Sequence, residues 1–468
     1  MNPYDEILYP GRPFAQTHPD RLATIGRLFG MQPAPVDRCR VLELGCGDGG
    51  NLIPMAYTLP DSEFVGVDLG ARGIEKGRET IAALGLANIR LECLDILQAG
   101  ADLGEFDYIV SHGVYSWVPE AVQEKLLEIS GRNLKPQGVA YVSYTVYPGA
   151  HLRNMLAEML KYHANRFAAP AEKIEQTRVM LGFLAEAKAE VRREAEALAG
   201  RGAAALFHDE LCEVQSPVYF HEFASRAGRH GLQYLGEADF FEMVDRLASP
   251  ESTAMLRSVA RNAIEKEQYM DFLKCRRFRQ TLLCRAEIGL QRRLDSARVR
   301  EFYVSARHAR DTEPMKALTD HPVAQAALDV MADAWPGALS FDELKRSTGA
   351  DDEEALCDIV LGFYSCSTFQ LHVRAPRFAG TAGERPRASM VARVQAKTDP
   401  VVTNLCHHAV RLEDELGMKL LCALDGTRDR AALMHAMREA VGAEREATLD
   451  EDLERSLNGL ARLALLEG

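Results

Sequence analysis

The segment Val-Leu-Glu-Leu-Gly-Cys-Gly-Asp-Gly-Gly at residues 41–50 constrains the fold more than any other part of the sequence. A run with strand character leads into glycines spaced as Gly-x-Gly-x-x-Gly, and a helical pattern follows. Glycines at the end of a strand let a nucleotide approach the backbone, because no side chain blocks it. The segment predicts an α/β sheet with a ligand crevice, but the spacing alone does not distinguish one nucleotide from another.

Short apolar runs alternate with helical patterns through the first part of the chain. The runs that predict strands lie at 40–44, 63–68, 89–94, 106–111 and 138–144. Helical patterns separate them, for example at 72–84 and 121–134. This βαβ order predicts a Rossmann-like parallel sheet covered by helices, and two later runs, 231–237 and 279–286, are expected to extend it.

The pattern divides the chain into two domains. Residues 1–290 are predicted to form the catalytic domain, with helical insertions at about 150–215 and 243–275; the first insertion includes one charged helix at 172–199. Residues 295–468 are predicted to be a mainly helical domain made of two winged-helix-like units. Those units are expected at about 316–376 and 408–468.

Composition excludes several other classes of protein. No apolar run is long enough to span a bilayer, and the first residues lack the features of a signal peptide, so a soluble cytoplasmic protein is expected. The net charge of -13 opposes binding to nucleic acid. The 10 cysteines show no zinc-binding spacing, so no metal is expected. The first helical insertion is interpreted as a lid or as a homodimer surface.

Three acidic residues narrow the choice of nucleotide. Glu43 precedes the first glycine by two residues, Asp68 ends the second predicted strand, and Asp95 follows the third. This order favours S-adenosylmethionine over a nicotinamide cofactor. The alternative is that Asp68 and Asp95 only cap helices, as acidic residues at such positions often do.

With these motifs the sequence resembles the class I S-adenosylmethionine-dependent methyltransferases over about the first 150 residues. The resemblance implies that the glycine loop passes under the cofactor, that Asp68 binds the ribose hydroxyls, and that Asp95 with Ile96 holds the adenine. Glu43 is expected to orient the loop or to attract the cofactor's cationic part, and Asn51 to contact the methionine moiety. The expected cofactor-binding residues are Glu43, Gly45, Cys46, Gly47, Asn51, Asp68, Leu69, Asp95, Ile96, His112 and Gly113.

Aromatic residues follow the fourth and fifth predicted strands, where a sheet of this kind binds its second substrate. Aromatic faces can stabilise the positive charge that spreads over a methyl group during its transfer, and they can orient an amine. The predicted acceptor pocket contains His112, Tyr115, Trp117, Tyr144 and Tyr147. The alternative is that the aromatic residues only pack the loops.

The N-terminal segment before the first strand is rich in prolines and aromatic residues. We interpret it as a flap over the cofactor, with Tyr4, Gln16 and His18 facing inward. The alternative is that it only introduces a helix, which Thr17 or Asp20 is expected to start.

Longer motifs extend the resemblance over most of the chain. They are His-Gly-Val-Tyr-Ser-Trp at 112–117, Pro-Val-Tyr-Phe-His-Glu at 217–222, Glu-Gln-Tyr-Met-Asp-Phe at 267–272 and Phe-Arg-Gln-Thr-Leu-Leu at 278–283. They resemble bacterial methyltransferases with a methyltransferase regulatory domain, including the rickettsial-type protein lysine methyltransferases. The resemblance implies a protein or peptide substrate and a lysine amine as acceptor. Methylation of a small molecule, or sensing of S-adenosylmethionine without catalysis, are the alternatives.

Overall fold

The computed structural model describes residues 7–245, 249–306, 316, 319–413, 415–438 and 449–468. Its central sheet contains the strands β1 Arg40–Leu44, β2 Glu63–Asp68, β3 Ile89–Cys93, β4 Phe106–Ser111, β5 Leu134–Thr145, β6 Leu232–Glu237 and β7 Phe278–Arg285. Their order across the sheet is β3-β2-β1-β4-β5-β7-β6. The first five strands are parallel, and β7 runs antiparallel between β5 and β6. The predicted Rossmann-like sheet is confirmed.

Helices cover both faces of the sheet, which explains why its central strands are almost continuously apolar. The helices nearest the N-terminus are α1 Pro19–Leu28, α2 Leu52–Thr58, α3 Ala71–Leu84 and α4 Glu120–Asn133. Leu22 of α1 and Leu52 of α2 pack on one face, and Leu126 of α4 packs on the other. Strand order reverses between β1 and β4, so the crevice expected in such sheets opens at the carboxyl ends of these two strands.

The first helical insertion contains α5 Ala150–Ala164, α6 Pro170–Phe183 and α7 Ala189–Ala199. The single helix expected at 172–199 is therefore wrong. Helix α6 passes into a short 3-10 turn, and the extended backbone of Ala187 then lets α7 fold back. This reversal brings Leu181, Leu184 and Leu198 into one small apolar core, which a straight helix would separate.

The segment between β5 and β7 continues with α8 Phe220–Arg229, α9 Pro250–Val259 and α10 Ala263–Lys274. Helix α8 packs on the same face of the sheet as α4, through Phe223 and Ala227. Side chains of Asn262 and Ser249 accept hydrogen bonds from the first turns of α10 and α9, which fixes where these helices begin.

A first winged-helix-like unit packs directly on the sheet. Its elements are β8 Tyr303–Ala306, α11 Pro322–Ala334, β9 Ala338–Ser340, α12 Phe341–Thr348, α13 Glu353–Ser365 and β10 Phe369–His372. The three strands form an antiparallel sheet in which β8 is central. Since β8 precedes residue 316, the unit begins earlier than the expected 316–376. Its core residues Leu328 and Phe369 are continuous with Leu22 of α1.

Residues 388–468, which we name the C-terminal unit, have an apolar core of their own, for example Leu420, Leu433 and Leu457. The unit contains α14 Met390–Gln395, β11 Val401–Thr403, β12 Ala409–Arg411, α15 Glu415–Ala423, α16 Arg430–Arg438 and α17 Leu449–Arg462. It begins before the expected residue 408, because α14 and β11 pack into the same core. None of the helices in the described parts of the chain is long and apolar enough to cross a lipid bilayer.

Candidate active site

The glycine loop follows β1 at the point where the strand order reverses. Gly45 has a φ of +80°, and a Cβ atom there would lie 2.3 Å from Cγ2 of Val114. Gly47 has a φ of +56°, but the position of its absent Cβ has no atom within 4 Å. Glycine is thus required at Gly45 by conformation and close packing, while Gly47 leaves open space above the loop.

Asp68, at the carboxyl end of β2, fixes the loop from the neighbouring strand. One carboxylate oxygen accepts a hydrogen bond from the Gly47 N–H at 2.9 Å, and the other accepts one from the Gly70 N–H at 2.7 Å. Gly70 is the N-cap residue of α3 and has no side chain that could accept a hydrogen bond from the first turn of the helix. The next residue, Leu69, is 57% exposed and adds an apolar surface beside the carboxylate.

Asp95 and Ile96 follow β3 at the same edge of the sheet. The Asp95 carboxylate accepts a hydrogen bond from the Leu97 N–H at 2.9 Å and so caps a short 3-10 turn, as the capping alternative requires. Ile96 is buried. The side chain of Cys46 is also buried, with its sulfur directly over Gly66 of β2, so only the backbone of Cys46 faces the crevice.

Glu43 is a buried carboxyl group in β1 and is only 3% exposed. Its Oε1 accepts a hydrogen bond from Asn51 Nδ2 at 2.8 Å, and within the described residues its Oε2 has no partner. Burial raises the pKa of Glu43 to about 8. A buried carboxyl oxygen without a partner suits a cationic ligand, because burying such an atom is otherwise unfavourable.

Asn51 is hydrogen-bonded on every side. Its Nδ2 donates to Glu43 and also to Thr17 Oγ1 at 3.0 Å. Its Oδ1 accepts from the Phe14 N–H and lies 2.9 Å from Nε2 of His407. The amide has two N–H donors and two acceptor lone pairs, so no group is left for a ligand. The expected direct contact of Asn51 with the methionine moiety is therefore corrected: Asn51 contacts Glu43 instead.

His112, which follows β4, lies between two aromatic rings. Its Nδ1 is 2.8 Å from the Tyr141 hydroxyl, and its ring lies 3.8 Å from the ring of Phe14. Burial lowers the pKa of His112 to about 4, so the imidazole is neutral at physiological pH. The neighbouring Gly113 N–H donates to Ser143 Oγ at 2.8 Å. Side chains alternate between the two faces of β5, so Tyr141 and Ser143 lie on the same face. This alternation could have identified both residues from the sequence.

The structure separates the residues of the expected acceptor pocket. Tyr115 and Tyr144 are 0% and 1% exposed, and both rings pack against Phe223 in the core. Including these two tyrosines in a surface pocket is wrong, because the pleat of β5 and the turn after β4 point them inward. Trp117 and Tyr147 are only half-buried. Tyr147 packs against Tyr219, with ring centroids 5.4 Å apart.

The N-terminal segment lies on the glycine loop. Gly11 packs closely against Gly50, where a Cβ on Gly50 would lie 2.5 Å from the Gly11 carbonyl carbon. Gln16 and His18 are both half-buried, and His18 is itself the N-cap of α1, in place of the expected Thr17 or Asp20. Tyr4, also expected to face inward, lies outside the described residues.

Comparison with known protein families gives matches over three parts of the chain. Residues 35–196 match the family described as Methyltransferase domain, and residues 202–285 match the Predicted methyltransferase regulatory domain. Residues 384–460 match the family described as PKMT, C-terminal winged helix domain.

Individual relatives agree with these matches. An uncharacterised protein of Rickettsia prowazekii is 32% identical over 93% of this chain and 85% of its own length, and another is 38% identical over 50% and 96%. The structure is similar to that of PKMT2 from Rickettsia typhi, which has also been solved in complex with AdoHcy. That match has a TM-score of 0.87 and 27% identity, and it covers 98% of this chain and 100% of the other.

Fold, loop and matches together define a methyltransferase that uses S-adenosylmethionine as its methyl donor. More narrowly, the chain belongs to the family in which this catalytic domain is joined to a methyltransferase regulatory domain and a PKMT-type winged-helix domain.

The raised pKa of Glu43 predicts how stability depends on pH. The folded protein holds a proton that the unfolded chain releases above about pH 4.5, the ordinary value for this group. The contribution to the free energy of unfolding is therefore complete below about pH 4.5 and is lost as pH rises through about 8. Urea unfolding of the cofactor-free protein at pH values of about 6 and 8.5 should show this loss in the wild type but not in Glu43→Gln. An equal loss in both would contradict the assignment to Glu43.

Proposed function

We propose that this protein transfers a methyl group from S-adenosylmethionine to a lysine ε-amine of a polypeptide. The observation that carries the proposal is the similarity to PKMT2 along 98% of the chain, which includes the regulatory and winged-helix segments as well as the sheet. A small-molecule methyltransferase needs only the sheet and a cover for its pocket. The additional units are more simply explained by an acceptor that is itself a large molecule.

For the cofactor, we propose a site along the carboxyl ends of β1, β2 and β3. The backbone of Gly45 to Gly47 lies beneath it, where the space above Gly47 is open. Asp68 accepts hydrogen bonds from the ribose hydroxyls, and Leu69 with Asp95 and Ile96 surrounds the adenine. Glu43 faces the cationic methionine end, which supplies the missing partner for its Oε2.

Replacing Asp68 tests the ribose contact. In Asp68→Ala we expect affinity for S-adenosylmethionine to fall by about tenfold to a hundredfold, since hydrogen bonds to a charged group contribute roughly 1.5–3 kcal/mol. Loss of the bond to the Gly47 N–H adds to the effect. Calorimetric titration measures the dissociation constant, and Asp61→Ala, an exposed carboxylate before the same strand, is the control. An unchanged constant in Asp68→Ala would remove Asp68 from the site.

For the acceptor, we propose a pocket formed by His112, Trp117 and Tyr147. When bound, S-adenosylmethionine supplies an electrophilic methyl group on a sulfonium. The lysine must attack as a neutral amine, so its ammonium form loses a proton before the N–C bond forms and the C–S bond of the sulfonium breaks. A neutral His112 adds no opposing charge beside the amine, and with a pKa of about 4 it accepts protons weakly, so release to solvent is sufficient. The ring faces of Trp117 and Tyr147 stabilise the positive charge that develops.

Replacing Tyr147 tests the acceptor pocket separately from the cofactor site. In Tyr147→Ala we expect kcat/KM for a protein acceptor to fall about tenfold, the value of one cation–π contact of about 1.4 kcal/mol. The dissociation constant for the cofactor should remain within about twofold of wild type, because Tyr147 lies away from the proposed cofactor contacts. Tyr162→Ala, in the helix that follows Tyr147 but 73% exposed, is the matched control. If both variants behave alike, Tyr147 has no special role.

The acceptor class is tested by incubating the full-length protein with methyl-labelled S-adenosylmethionine and a heat-treated bacterial extract. Label in protein bands that is recovered as methyl-lysine after acid hydrolysis would support the proposal. Label only in the low-molecular-weight fraction would indicate a small-molecule acceptor. Binding of the cofactor without transfer to any fraction would indicate a sensing protein instead of an enzyme.

A further inference from the structure

The side chain of His407 connects the C-terminal unit to the proposed cofactor site. This residue lies in the turn between β11 and β12, and it is only 4% exposed. Its φ of +60° falls in the left-handed region, which costs a non-glycine residue roughly 1 kcal/mol. The turn nevertheless holds that conformation and places Nε2 2.9 Å from Oδ1 of Asn51, a residue 356 positions earlier in the chain.

The protonation of His407 determines the direction of this hydrogen bond. Burial, with His18 and His408 nearby, holds the pKa of His407 well below its usual range, so the imidazole is neutral. Among the described residues Nδ1 has no hydrogen-bond partner, whereas Nε2 faces an amide oxygen. The single ring proton therefore belongs on Nε2, and His407 donates to Asn51 Oδ1.

This donor helps to fix which way the Asn51 amide points. The Phe14 N–H and the His407 Nε2–H both donate to Oδ1, so Nδ2 is turned toward the Glu43 carboxyl group. A flipped amide would direct its N–H donors at the Phe14 N–H, which can only donate, and would lose the hydrogen bond from His407 in the tautomer assigned above. Removing His407 leaves Oδ1 with the Phe14 N–H at 2.9 Å and the more distant Thr17 hydroxyl at 3.3 Å, and it weakens the preference for the orientation that serves Glu43.

We propose that His407 is a positioning residue of the cofactor site, so that the C-terminal unit contributes to binding of S-adenosylmethionine. The proposal rests on the cofactor site described above. His407 acts through Asn51 on Glu43, the group that faces the cofactor's cationic end.

A second contact supports a role for the same unit. Arg12 of the N-terminal segment forms an ion pair of 2.8 Å with Asp399 and donates to the Val401 carbonyl at 3.3 Å. The adjacent Gly11 packs against Gly50 of the glycine loop. The C-terminal unit thus holds the N-terminal segment against the glycine loop, while His407 orients the Asn51 amide. Both the Arg12–Asp399 ion pair and the His407–Asn51 hydrogen bond depend on how the unit docks.

The test compares three variants of the full-length protein by calorimetric titration with S-adenosylmethionine. In His407→Ala we expect the dissociation constant to rise about tenfold, as for loss of a buried hydrogen bond that leaves its acceptor partly unsatisfied. His407→Gln places an N–H donor at nearly the same distance, and should restore the constant to within about threefold of wild type. Leu420→Ala removes packing from the core of the same unit without altering the His407–Asn51 hydrogen bond. It should leave the dissociation constant within about twofold of wild type.

Kinetics with an acceptor extract give a second measurement. For His407→Ala we expect KM for the cofactor to rise with the dissociation constant while kcat at saturating cofactor stays within about twofold of wild type. Equal weakening of binding in His407→Ala and Leu420→Ala would overturn the proposal, because general loosening of the unit would then explain both. Failure of His407→Gln to restore binding, with an unchanged melting temperature, would also overturn it.

The variants distinguish a failure of the proposed role of His407 from a failure of the proposed cofactor site. If Glu43→Gln and Asp68→Ala weaken binding but His407→Ala does not, the cofactor site stands and the role of His407 is wrong. If none of the three variants weakens binding, the location of the cofactor site is wrong, and the role of His407 is lost with it.

Discussion

A carboxyl group buried in the first strand of the sheet imposes the strongest physical constraint in this structure. Glu43 is placed by β1 where water is excluded, so its oxygens need partners supplied by the protein or by a ligand. One oxygen is bonded to Asn51, and the Asn51 amide is in turn bonded to the N-terminal segment and to the C-terminal unit. Distant parts of the chain are thus organised around one buried acid, whose other oxygen has no hydrogen-bond partner among the described residues.

The apolar cores of the sheet and of the C-terminal unit hold the elements that carry the contacts to Glu43 and Asn51. One face of the sheet shares a continuous core with the first winged-helix-like unit, so that unit is an extension of the catalytic domain in packing terms. The C-terminal unit has a core of its own, but Val391 of its first helix packs into the core that the sheet shares with the first unit. Polar contacts add to this docking, including Arg12 with Asp399 and the Tyr57 hydroxyl with Glu467.

Aromatic residues near the crevice serve two different purposes. Tyr115 and Tyr144 fill the core beneath it with Phe223, whereas Trp117, Tyr147 and the stacked pair of Phe14 and His112 lie nearer its surface. The division follows from the pleat of β5, since residues 141 and 143 share one face and residues 142 and 144 the other. A neutral imidazole surrounded by rings suits an uncharged amine nucleophile better than it suits proton abstraction.

The sequence by itself determined the sheet, its strand order of the βαβ type, the glycine loop and the acids at the ends of β1 and β2, because these depend on local periodicity and on the backbone freedom of glycine. It also indicated a mainly helical, winged-helix-like C-terminal region. Only the tertiary structure decided that Tyr115 and Tyr144 are core residues, that Asn51 has no group free for a ligand, and that His407 reaches the first strand. Side-chain direction and contacts across 356 positions arise from packing between separate elements, for which a single sequence carries no local signal.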